Sequence, residues 1–125
     1  MSQSSEAGVW TGNVLNSHCP ARSLLEVLGD KWALLVLYTL AKQGPARTGE
    51  LRRRVGGISE KMLIQNLRKM ERFGLVRRIA YPEVPPRVEY QLTELGVSLG
   101  EPISALNRWV EHNISTIHSA MSASQ

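Results

Sequence analysis

The segment from Gly56 to Arg78, GGISEKMLIQNLRKMERFGLVRR, constrains the fold more than any other. Gly56 and Gly57 end the helix before it. Ser59 offers an oxygen to the free backbone N–H groups of the next one, and Ile58 stands where a staple to Leu63 would form. A helix is therefore predicted to start at about Ser59. With about 100° between successive residues, Leu63, Leu67, Met70 and Gly74 share one narrow face, and Lys61, Gln65, Arg68 and Arg72 share the opposite one. One face suits a core; the other is cationic and carries an amide. Such a helix fits the major groove of DNA, where base edges bind forked donors and phosphates bind cations. A solvated face on an ordinary helix is the plainer reading of any single basic row, so the surroundings have to decide.

Charge distribution supports the first reading. The 125-residue chain is long enough for one domain with a real core, and its net charge is only +4. Residues 47–78, however, hold 10 of the 15 Lys and Arg against Glu50, Glu60 and Glu71, so the segment carries +7 and the remainder −3. A positive field focused in this way suits a polyanion and argues against a uniformly basic, membrane-adhering surface. Met1–Gly8 lacks the basic start and apolar run of a signal or transit peptide, so a cytoplasmic location is expected. The longest apolar run, Trp32–Leu40, is about half of the ~20 residues a membrane span needs. Cys19 is the only cysteine, which excludes an internal disulfide and fits a reducing compartment.

Taken in order, residues 1–17 read as a flexible arm whose Trp10 and Leu15 could pack on a partner subunit, residues 18–120 as the folded domain, and 121–125 as a tail, with fraying expected from about Ser119. Pro20 suits the first position of a helix over Ala21–Leu28, with Leu24, Leu25 and Leu28 at core spacing. Gly29 ends it and Asp30 caps a nearly all-apolar central helix from Lys31 to about Lys42. Gly44-Pro45 stops that helix, and Ala46–Thr48 leaves room for a very short strand. A helix over Gly49–Val55 follows, with Glu50, Leu51 and Val55 inward and Arg52, Arg53 and Arg54 outward. Beyond Gly74, Leu75–Ala80 and Arg87–Leu92 alternate as two strands around the Pro-rich loop Tyr81–Pro86. Thr93 and Glu94 open a long helical region interrupted near Gly96, Gly100 and Pro102. The expected fold is mainly α (α+β), a winged helix-turn-helix with N- and C-terminal dimerisation helices.

Several motifs now coincide: Cys19-Pro20; Leu28-Gly29-Asp30-Lys31-Trp32; Gly57-Ile58-Ser59 with Lys61-Met62-Leu63 and Gln65; Gly74-Leu75-Val76; and Val84-Pro85-Pro86-Arg87-Val88-Glu89-Tyr90 before Leu92-Thr93. Together they resemble the HxlR-type branch of winged-helix transcription regulators, related to the MarR regulators, over about Cys19–Trp109. The resemblance implies a homodimeric bacterial regulator, often a repressor, and in several members a cysteine before the first helix that senses oxidants or electrophiles. Thr48 departs from the pattern, which usually has Phe after Arg47, and puts the packing of the small strand in question.

Ser59, Lys61, Met62 and Gln65 are the candidate base-reading residues, with Gln65 suited to an adenine edge and Lys61 to guanine. Arg68, Lys69 and Arg72, together with Arg52, Arg53 and Arg54, are candidate phosphate contacts. In the wing, Arg87 follows two prolines that hold it extended and Arg77 and Arg78 lie at the hairpin base; all three are candidate backbone or wing contacts, and Arg87 is the better candidate for a phosphate or the minor groove. Cys19 precedes a helix N-terminus beside His18, with Arg22 a turn on, which would favour a thiolate; a small buried apolar residue is the alternative. Leu24, Leu99, Ile103, Leu106, Trp109, Val110, Ile114 and Ile117 form the candidate dimer interface, the alternative being packing on the protomer's own core.

The expected partners are a palindromic duplex operator and a second copy of the chain, with an oxidant or electrophile at Cys19. No membrane, cofactor or metal is expected, because His18, His112 and His118 lack metal-ligand spacing, and no catalytic constellation is present. A protein-binding winged helix remains an alternative, as does control by a small ligand instead of Cys19.

Overall fold

The computed structural model describes residues 13–124. Trp10 and most of the expected arm lie outside them. The elements run α1 (Pro20–Leu28), α2 (Ala33–Gln43), α3 (Thr48–Arg54), α4 (Glu60–Arg72), β1 (Val76–Tyr81), β2 (Arg87–Leu92), α5 (Glu94–Ser98) and α6 (Gly100–Ala123). The core lies where α2, α3, α4 and the base of the β1–β2 hairpin converge, with Leu37, Leu40, Leu51, Leu63, Leu67, Met70, Leu75 and Val76 almost fully buried. This is a winged helix.

Local chemistry explains the boundaries. Gly29 closes α1, and the Asp30 carboxylate accepts from the Trp32 amide at 2.9 Å. Asp30 thus caps the turn leading into α2 rather than the helix itself, and α2 starts at Ala33, two residues later than expected. Glu50, expected to face inward, instead reaches back from the third position of α3 to accept from the Arg47 amide at 2.9 Å. Gly44, Gly57 and Gly74 have φ of 83°, 88° and 78°, each at the end of a helix or in the turn before one. Ala46 exchanges backbone hydrogen bonds with Tyr90 at 3.0 and 2.9 Å, so the short strand pairs with β2 even with Thr48 in place of an aromatic residue.

The hairpin register pairs Val76 with Leu92, Arg78 with Tyr90 and Tyr81 with Arg87. Val76, Arg78, Ala80, Val88, Tyr90 and Leu92 thus fall on one face, buried at the hairpin base by Val76, Tyr90 and Leu92, while Arg77, Ile79, Tyr81, Arg87, Glu89 and Gln91 share the other. Helix α6 continues through Ala123, past the Ser119 at which fraying was expected.

Candidate nucleic-acid interface

Ser59 is the N-cap of α4, its hydroxyl accepting from the Met62 amide at 3.1 Å. Ile58 and Leu63 are both buried in the core, the arrangement a staple requires. The turn entering α4 is also braced from α2's side, because a Cβ built on Gly57 would lie 3.6 Å from the ring of Trp32. The two sequence motifs containing Asp30-Lys31-Trp32 and Gly57-Ile58-Ser59 therefore meet in space.

On α4, Leu63, Leu67 and Met70 are buried, whereas Lys61, Gln65, Arg68, Lys69 and Arg72 are exposed. Met62 is half-buried against the core, so only part of it is available for contact. Arg52, Arg53 and Arg54 on α3 are exposed, as are Arg77 and Arg78 on β1. Among the described residues, none of these cations has a carboxylate within ion-pair distance; the ion pairs present involve Arg22, Arg87 and Arg108. The faces of α3, α4 and β1 thus carry uncompensated positive charge, which attracts a polyanion at long range and binds phosphate at short range.

Arg87, the expected wing contact, has carboxylate and aromatic partners within the wing. Its guanidinium lies 2.9 Å from Glu83, 4.0 Å from Glu89 and 3.9 Å from the centroid of the Tyr81 ring. Two carboxylates and one aromatic face already occupy it. The network had a sequence signal, since residues flanking a hairpin loop face one another across the closing pair. Asn66 was also missed. It is buried, its side-chain amide donating to the Met62 carbonyl at 3.0 Å, and its spacing from Leu63 and Met70 places it on the core stripe.

The family model described as HxlR-like helix-turn-helix matches residues 27–118. The chain belongs to the HxlR-like helix-turn-helix family. It is 46% identical over 103 residues to the uncharacterised HTH-type transcriptional regulator YtfH of Escherichia coli K12, covering 82% of this chain and 81% of that one. A solved structure of the Salmonella typhimurium regulator ytfH superposes with a TM-score of 0.80 at 40% identity, covering 89% of this chain and 98% of the other. The redox regulator HypR in its oxidised form superposes with a TM-score of 0.69 at 39% identity, over 76% and 97% of the two chains. This HxlR-like chain is accordingly a transcriptional regulator with a helix-turn-helix domain, and its family and relatives are regulators rather than enzymes.

The remaining candidates lie away from α4. Cys19 is the N-cap residue of α1 and only 6% exposed. Arg22, expected to support a thiolate, instead donates to the Leu15 carbonyl at 2.9 Å and lies 3.4 Å from Glu26. Of the expected dimer stripe, Ile103 is buried in the protomer's own core, and Leu99, like Leu24, is half-buried and packs against that core. Leu106, Trp109, Val110 and Ile114 are exposed, and Leu24 and Ile117 are half-buried. Leu25 on α1 and Leu35 on α2 are exposed as well, and a pocket of about 250 Å³ opens between Leu34, Leu35 and Tyr38 of α2 and Leu106 and Val110 of α6. Among the described residues no helix is long and apolar enough to cross a membrane.

Proposed function

We propose that this regulator binds a palindromic DNA operator as a homodimer, and that it acts as a repressor released by oxidation or alkylation of Cys19. The exposed Lys61, Gln65, Arg68 and Arg72 row, held outward by the buried Leu63, Leu67 and Met70, carries the reading. Ser59, Lys61, Met62 and Gln65 lie in the first two turns of α4, the part of a recognition helix that meets base edges. Arg52, Arg53, Arg54, Arg68, Lys69, Arg72, Arg77 and Arg78 surround it as phosphate contacts. Leu106, Trp109, Val110 and Ile114 leave an apolar face on α6 that a second copy would cover, with α1 alongside.

The thiol switch is supported by the likeness to the redox regulator HypR and by the position of Cys19. Atoms added to a buried sulfur at the start of α1 need room, so α1 would have to shift. Because α1 adjoins the expected interface, modification would alter the spacing of the two recognition helices. With one cysteine per chain, the adduct is an intersubunit disulfide, a mixed disulfide or an alkylated thiol.

Selection of bound duplexes from a random library, with and without a thiol oxidant, tests both parts. The expected result is an inverted repeat with half-sites about one helical turn or a multiple apart, recovered only under reducing conditions. A pool that stays random at low salt would overturn the operator reading, and identical pools under both conditions would overturn the switch.

A further inference from the structure

Among the described residues, Arg87 is the one cation of the basic region and wing with carboxylate partners. Tyr81 and Arg87 face each other as the pair nearest the hairpin tip. The guanidinium stacks on the Tyr81 ring, and one of its terminal nitrogens meets Glu83 at 2.9 Å. Its Nε is buried without a hydrogen-bond partner, 4.0 Å from Glu89, whose other oxygen accepts from the Tyr81 hydroxyl at 3.2 Å. The Glu83 amide donates to the Tyr81 carbonyl at 2.8 Å, which holds that carboxylate at the mouth of the loop.

We propose that Arg87 is a positioning residue that latches the Pro82–Pro86 wing tip, and that the wing's phosphate contacts come from Arg77 and Arg78. The four-side-chain network carries one positive and two negative charges, so a phosphate brought to Arg87 would meet two carboxylates at close range. Withdrawing the guanidinium to reach DNA would also give up the stack on Tyr81 and leave Glu83 and Glu89 uncompensated. Arg77 and Arg78 incur none of these costs, being exposed and without a carboxylate partner among the described residues. The latch orders the loop before binding, so less loop entropy is lost when the wing meets the duplex. This inference rests on the DNA-binding reading for its functional half only; the latch itself is a property of the free protein.

The test uses wild type, Arg87→Gln, Glu83→Gln and Arg77→Gln in two measurements. In amide hydrogen exchange on the free proteins, Arg87→Gln and Glu83→Gln should both speed exchange in the wing at Glu83, whose amide is bonded to the Tyr81 carbonyl, while Arg77→Gln should not. In anisotropy titrations against the selected duplex over a series of KCl concentrations, Arg77→Gln should lower the slope of log K against log salt by about 0.9. Arg87→Gln and Glu83→Gln should leave that slope as in wild type and weaken binding by about 3- to 10-fold through the loosened loop. A slope lowered by about one unit in Arg87→Gln, with tighter binding by Glu83→Gln, would overturn the proposal and make Glu83 a competitor of phosphate. Unchanged wing exchange in both latch variants would overturn it independently of DNA. Wild type that binds no duplex at low salt would instead defeat the DNA reading.

Discussion

Gly96 packs so closely on the Leu75 carbonyl that a Cβ added to it would clash with that oxygen. This contact closes the junction between the α4–β1 turn and α5. There the Thr93 hydroxyl donates to the Gly74 carbonyl and accepts from the Gly96 amide at 3.1 Å, while the Thr93 amide donates to Leu75 at 3.0 Å. Gly96→Ala must therefore move backbone, not merely a side chain, and is expected to destabilise the domain by about 1–3 kcal/mol. Gly100→Ala, with nothing within 4 Å of the new methyl, should be neutral or slightly stabilising. Urea unfolding of both variants checks the contrast.

Ser59 has two separable roles. Ser59→Ala removes the cap and should lower stability by about 1 kcal/mol. Ser59→Asp keeps a capping oxygen and should restore stability, yet place a negative charge at the end of α4 expected to enter the groove. Urea midpoints that recover in the Asp variant while duplex affinity falls below that of the Ala variant would match this expectation; equal affinities would remove Ser59 from the interface.

Gln65→Ala should leave the fold intact, because the side chain is exposed. On the selected operator it should lose about 1–3 kcal/mol, and on random duplex of equal length nearly nothing. Equal losses on both would show that Gln65 reads no base. Comparable anisotropy titrations at fixed salt decide the point.

Trp109 is 58% exposed and Ile114 52% exposed on α6. Placing a charge there, as in Ile114→Glu, costs a protomer little but would bury an unpaired carboxylate in a dimer seam. Sedimentation velocity should show a dimer for wild type at micromolar concentration and a monomer for the variant, with operator affinity falling in parallel. A wild-type monomer would contradict the interface.

Cys19→Ser should keep DNA binding through diamide treatment that releases the wild type. Because the thiol is buried, its modification should be slower than that of an exposed thiol, and measurable as a lag in reaction with a coloured disulfide reagent. Release of the Ser variant by diamide to the same extent would place the sensitivity elsewhere.

Much of the architecture was legible in the residues because it is local. The cap at Ser59, the glycine after α4 and the alternation in β2 each act within a few residues of themselves, and the elements follow to within about two positions. The split of α4 into buried and exposed sides was also readable, since a helix has one phase once its start is known. Asn66 obeyed that same phase and was passed over only because its side chain is polar. The end of α6 was less legible. Ser, Thr and Ala near the C-terminus suggest fraying, yet an unbroken backbone ladder can run on to Ala123 without any proline or glycine to stop it.

The sequence by itself determined that this chain makes a winged helix with a concentrated basic surface and that it is a regulator of the HxlR-like family. Helical and strand periodicity record which residues share a face, and charge clustering records where the field is strongest. Only the tertiary structure decided what lies opposite each face. Ile103 and Leu106 stand three residues apart on α6, yet one belongs to the buried core and the other is 48% exposed. Arg77 and Arg87 share one face of the hairpin, yet among the described residues one has no ion-pair partner and the other is held by Glu83, Glu89 and Tyr81. Burial and ion pairing depend on neighbours brought in from elsewhere in the chain, and no local period encodes them.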